Sequence, residues 1–178
     1  MKLPGLLLIE PQVFKDPRGF FLETHNLRNY LAKGISTSFV QDNISRSVKG
    51  VLRGLHYQLE HPQAKLVSVI RGAVLDVVVD IRRGSPTFGQ WQGVELSDEN
   101  HLQLFIPEGF AHGFSVLSEE VDFLYKCSDY YHPESEFGIR WDDPNINISW
   151  QNSEPILSQK DKAYPLLSEV VPEHLPKF

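Results

Sequence analysis

Cysteine is almost absent. Cys127 is the only one in 178 residues, so no intrachain disulfide can form, which fits a reducing compartment. The lone thiol sits in an apolar stretch and reads as a small packed side chain. Basic clusters are also missing. Seventeen Lys and Arg face 23 Asp and Glu, for a net charge of −6, and no run of cations supplies the groove that a nucleic-acid backbone requires. An anionic small ligand stays open, because two or three placed cations suffice. Long apolar runs are lacking as well. Leu6-Leu7-Leu8-Ile9, bounded by Pro4-Gly5 and Glu10, is too short for a signal core or a membrane span. It reads as the first strand of a cytoplasmic protein with no membrane partner. The length suits one domain over residues 1–178, and a composition 41% hydrophobic and 22% charged is enough for a substantial core.

Helix signals are few. Residues 26–33 followed by Gly34 fit one short helix with a glycine stop. Ser158-Gln159-Lys160-Asp161 reads as an N-cap with an acid three residues on, opening a helix that Pro165 limits. Strand signals dominate from about residue 6 to about residue 150. Along 66–81, Val67 and Val69 flank Ser68, and Arg71-Gly72 offers a turn. Ala73, Leu75, Val77, Val79 and Ile81 then share one parity, with Asp76 and Asp80 on the other, which predicts one buried face. Further strands are expected at 20–24, 38–43, 51–59, 91–96, 103–106, 113–117 and 121–128. Many short strands with few helices predict an all-β sandwich or jelly roll, whose inter-sheet cleft can take a small ligand.

Four places carry residues suited to proton chemistry. His56 lies on the strand-like Arg53-Gly54-Leu55-His56-Tyr57-Gln58. An inward imidazole is either a core histidine tied by one hydrogen bond or a general base working near neutral pH. Arg53 has the opposite parity, so both reach one pocket only if the strand bulges, and Gly54 is the place for it. Pro107-Glu108-Gly109-Phe110-Ala111-His112 resembles one of the two cupin signatures. The other supplies a His-x-His pair in metal-binding cupins. Here the equivalent is His56-x-Gln58, so a full imidazole shell is unavailable and no catalytic metal is expected. Tyr125 shares parity with Val121, Phe123 and Cys127. It is either a core tyrosine with one bond or a general acid facing a His base. Lys65 is either a solvated strand end or a cation for an enolate oxygen, and Asp161 could orient His56.

Together these segments resemble the dTDP-4-dehydrorhamnose 3,5-epimerase family. The matching stretches are Asp16-Pro17-Arg18-Gly19-Phe20-Phe21-Leu22-Glu23, Phe39-Val40-Gln41-Asp42-Asn43 and Val51-Leu52-Arg53-Gly54-Leu55-His56. They continue through residues 80–89, 106–114 and 124–126, then Trp141-Asp142-Asp143-Pro144 and Ser158-Gln159-Lys160-Asp161. The resemblance implies a cupin jelly roll (a double-stranded β-helix with a few short peripheral helices), a homodimer, and no cofactor. It implies an isomerase that epimerises C3 and C5 of dTDP-4-dehydro-6-deoxy-D-glucose through an enolate, giving dTDP-4-dehydro-L-rhamnose. His56 maps onto the proton acceptor, Asp161 onto its carboxylate partner and Tyr125 onto the proton donor. Lys65 is expected near the keto oxygen, and Arg18 and Arg53 near the diphosphate. Further substrate contacts map onto Glu23, Gln41, Asp42, Asn43, His112, Glu136 and Lys160, with Tyr131 near the sugar. Two departures stand out. Lys65 follows His56 by nine residues where the family has ten, and Ile44 replaces a family histidine that would sit beside the pocket. A sister enzyme acting at one carbon, a metal-dependent cupin and a non-catalytic sugar-nucleotide binder are the rival readings.

Overall fold

The computed structural model describes residues 1–178, and its strands form two facing antiparallel sheets. The first runs in the order β1 (Leu7–Ile9), β9 (Gln103–Ile106), β6 (Lys65–Arg71), β11 (Glu120–Cys127), β4 (Gln41–Val48). The second runs β12 (Glu136–Gly138), β5 (Leu52–Gln58), β10 (Phe110–Val116), β7 (Ala73–Asp80), β8 (Trp91–Ser97). A separate hairpin joins β2 (Val13–Asp16) to β3 (Gly19–Leu22). The helices are short: α1 (Leu27–Ala32), capped by Asn26, and α2 (Gln159–Ala163), capped by Ser158. This is the jelly roll expected, with the turn between β6 and β7 at Gly72.

Between the sheets, Val67, Val69, Val74, Val78, Leu104, Phe114 and Phe123 belong to one buried cluster. The expectation of a single buried face on β7 is corrected here, because nearly every β7 residue is buried. Its other face carries Leu75, Val77 and Val79, which pack with Ile139, Ile146, Trp150, Leu167 and Leu175. The C-terminal third has little regular structure, and its apolar residues cover the back of the second sheet. Asp76 and Asp80 therefore stand in a strand buried on both sides, where an unpaired carboxylate costs several kcal/mol. Both are paired. Asp80 accepts bonds from Arg82 Nε (2.9 Å), Ser85 Oγ (2.6 Å) and Thr87 Oγ1 (2.6 Å). Burial pushes its carboxyl up, but these donors outweigh it and bring it down to about 2. The Asp80–Thr87 motif thus builds a turn.

Two strand expectations need correction. β4 begins later than 38 and runs on to Val48, because its alternation is reversed. Gln41, Asn43, Ser45 and Ser47 turn inward, while Ile44 and Val48 are exposed. Ile44 accordingly points away from the interior, contrary to the position expected beside the pocket. β2 and β12 were not foreseen; both are short and lack a clear apolar alternation.

The bulge expected at Gly54 is present. β10 pairs His112 with His56 and Phe114 with Arg53, so two steps on β10 match three on β5. Gly54 has φ +121°, and a Cβ there would lie 2.6 Å from the Gly113 Cα. Only glycine fits both the backbone and the contact. The bulge switches parity. Leu52 lies in the same back-face cluster as Leu55 and Tyr57, and Arg53 reaches the same cavity wall as His56.

Candidate active site

The cleft between the sheets holds two adjoining chambers that share His56, Lys65 and Tyr125. Gln41, Asn43, Tyr131 and Glu136 line one, and Arg53 and His112 line the other. His56 comes from β5 in one sheet, and Lys65 and Tyr125 come from β6 and β11 in the other. An imidazole thus stands across a cavity from an ammonium and a phenol.

His56 is held from behind. Its Nε2 lies 2.5 Å from Asp161 Oδ1. The Asp161 side chain is 5% exposed and is itself set by the cap of α2. Ser158 Oγ donates to Asp161 Oδ2 (2.7 Å) and accepts from the Asp161 backbone N–H (3.0 Å). Burial pushes the Asp161 carboxyl up, yet the bonds from His56 and Ser158 outweigh it and hold it below its ordinary value. An ionised carboxylate only accepts, so Nε2 carries the proton of that bond, and Nδ1 is the nitrogen that is basic in the neutral ring. Nδ1 lies 4.0 Å from Glu136 Oε1. The Tyr164 ring meets the imidazole edge-on at 5.6 Å and packs over Gly138, where a Cβ would come within 2.5 Å of it. Tyr164 escaped the sequence reading, since no spacing ties it to residue 56.

Across the cleft, burial raises the Tyr125 phenol and lowers the Lys65 ammonium. The first keeps the phenol protonated; the second reflects the removal of Lys65 from water. Cys127 pairs with Lys65 across the strands and lies on the cavity wall. It is buried, and burial raises its thiol, so it packs as a small side chain, as expected.

His112 also has a carboxylate partner: its Nε2 lies 2.8 Å from Asp76 Oδ2. The Asp76 side chain is fully buried, and its isolation in an apolar strand was the signal available. Glu136 accepts from Lys160 Nζ (2.6 Å) and from the Tyr131 hydroxyl (2.5 Å). Burial pushes Glu136 up, but these two donors bring it below its usual value, while the Tyr131 phenol is pushed up to about 12. Gln41 Oε1 accepts the Tyr131 backbone N–H. Gln58, which stands where a second metal-binding histidine would be, is a loop clamp. Its amide donates to the carbonyls of His61 and Tyr130 and accepts from the His132 backbone N–H.

Four of the expected contacts lie outside this cavity in the single chain; Lys160 reaches it only through Glu136. Asp42 is on the outward parity of β4 and binds Lys126 (2.8 Å). Glu23 binds Asn26 and Asn29 at the start of α1. Arg18, at the tip of the β2–β3 hairpin, has a side chain 90% exposed and binds Asp16.

With that geometry in view, the comparisons with known proteins are specific. The sequence model of the dTDP-4-dehydrorhamnose 3,5-epimerase family matches residues 1–169. The curated dTDP-4-dehydrorhamnose 3,5-epimerase of Methanothermobacter thermautotrophicus is 54% identical over 170 residues, covering 94% of this chain and 92% of that protein. A dTDP-4-dehydrorhamnose 3-epimerase from Streptomyces niveus is 41% identical over 169 residues, covering 94% and 82%. Among solved structures, the dTDP-6-deoxy-D-glucose-3,5-epimerase of Legionella pneumophila in complex with dTDP-4-keto-L-rhamnose superposes with a TM-score of 0.97 at 56% identity, covering 100% of this chain and 96% of that one. By sequence along nearly its whole length, and by a fold shared with solved members, this chain belongs to the dTDP-4-dehydrorhamnose 3,5-epimerase family.

Proposed function

We propose that this protein is a cofactor-independent isomerase that inverts C3 and C5 of dTDP-4-dehydro-6-deoxy-D-glucose to give dTDP-4-dehydro-L-rhamnose. The supporting observation is His56, backed by Asp161 and facing Tyr125 and Lys65 across one cleft. The 4-ketone acidifies the hydrogens on both neighbouring carbons. His56 Nδ1 takes one of them and becomes an imidazolium, which ionised Asp161 stabilises. The electron pair moves to the keto oxygen, and Lys65 stabilises the enolate, an effect worth about 3 kcal/mol in a dry site. Tyr125 then protonates the carbon from the opposite face. Water restores both groups before the second carbon reacts.

His112, Asn43, Gln41, Glu136 and Tyr131 line the cavity and would contact the sugar and nucleotide. Arg53 would hold the diphosphate, and Lys160 would set Glu136. Incubation with substrate in deuterated water tests the assignment. We expect deuterium at both C3 and C5 of an L-configured product. Label confined to one carbon would support the single-carbon reading instead.

The protein is further proposed to be a cytoplasmic homodimer in which Arg18, Glu23 and Asp42 meet substrate or partner only in the assembly. Phe14, Phe20 and Phe21 on the hairpin and Ile44, Val48 and Ile70 on the first sheet are exposed large apolar residues, the kind of surface that a monomer rarely leaves open. Sedimentation is expected to give twice the 20.4 kDa chain mass; a monomer at micromolar concentration would count against it.

A further inference from the structure

We infer that His61, Asp129 and His132 form a binding site for one divalent transition-metal ion of the zinc type, at the rim of the cleft and separate from the proton-transfer groups. One ring nitrogen from each histidine and one Asp129 carboxylate oxygen lie within 4.8 Å of one another. The two imidazoles are stacked at 3.7 Å. His61 Nδ1 is 3.4 Å from Asp129 Oδ2, and His132 Nδ1 is 3.1 Å from Glu134 Oε1. Neither carboxylate forms a salt bridge to a lysine or arginine, so two negative charges stand beside two imidazoles with no cation of the protein's own.

The donor types suit an ion. Tetrahedral zinc with bonds of about 2.0–2.2 Å sets its donors about 3.4 Å apart, so the set must contract by up to about 1.4 Å and the stacked rings must turn toward one point. All three side chains are partly exposed, which leaves room for that rearrangement. Their backbones, in contrast, are fixed. Buried Gln58 ties the His61 carbonyl to the His132 N–H, and Gln63 Nε2 donates to the Asp129 carbonyl (2.8 Å). Two imidazoles with a carboxylate select zinc, nickel or copper over magnesium or calcium, which take oxygen donors. Gln58 and Gln63 also line the cavity, so a bound ion would lock together the two loops that shape its mouth.

The test titrates Zn2+ into chelator-stripped full-length protein by calorimetry, with His61→Ala and His132→Ala alongside. Both substitutions keep the backbone bonds to Gln58, and thermal melts verify that the variants are folded. We expect one equivalent bound by the wild type, a rise in melting temperature reversed by chelator, a loss of affinity of at least about tenfold in each variant, and no competition from Mg2+. No Zn2+ uptake by the wild type at millimolar concentration would overturn the proposal. So would unchanged binding in both variants, which would place the ion on other histidines.

Discussion

Replacing His56 with alanine is expected to lower kcat by about a thousandfold or more, within the range that a positioned general base contributes, while leaving the fold and dTDP binding in place. The expectation rests on where the imidazole's two nitrogens go. Asp161 occupies Nε2 at 2.5 Å, so Nδ1 is left for substrate. Glu136, the neighbouring carboxylate, is already bonded to Lys160 and Tyr131 and held below its ordinary pKa, which makes it a poor substitute base. The structural cost of the substitution falls on Asp161. Asp161 keeps its bonds to Ser158, which limits the cost of about 3 kcal/mol that removing one partner of a buried charge carries. Turnover and dTDP affinity measured on the same preparation separate the two effects. Retained turnover would remove His56 as the base.

The second large effect is expected from Tyr125→Phe. The substitution removes one oxygen and conserves the ring, so packing against Phe123 persists and stability changes by less than about 1.5 kcal/mol. Inversion at carbon is expected to slow by about a hundredfold, in line with the contribution of a positioned acid. Lys65 remains across the cleft from His56 and still stabilises the enolate, so proton removal continues. The proton is then returned by His56 to the face it came from, and starting material is regenerated.

The parts of this molecule legible in its sequence were those governed by local rules. The turn at Gly72, the cap at Ser158 and the glycine stop after α1 depend on neighbouring residues. The bulge at Gly54 followed from parity alone: Arg53 and His56 can share a cavity only if the strand gains a residue between them. What stayed hidden depends on contacts distant in sequence. Nothing around Asp76 indicates that His112, 36 residues on, lies against it. Nothing around Tyr164 places it over Gly138. The second buried face of β7 depends on residues 139–175, whose irregular backbone gives no periodic signal. β4 was cut short because its inward residues are polar and its outward ones apolar, the reverse of an ordinary surface strand. That inversion is what a strand needs when its inner face lines a polar cavity. Arg18 and Glu23 lie in stretches that resemble the family yet stand outside the cleft, since a short motif does not specify where in space its side chains go.

The mechanism depends most on protons leaving one face of the sugar ring and arriving on the other. Its most direct test is the ratio of hydrogen exchange at C3 and C5 to inversion at those carbons, measured by NMR in deuterated water for the wild type and Tyr125→Phe. The phenylalanine variant should continue to exchange both hydrogens while its inversion falls, raising that ratio by at least about tenfold. A ratio equal to that of the wild type would mean that another donor delivers the proton to the far face, and that the phenol opposite His56 is a bystander.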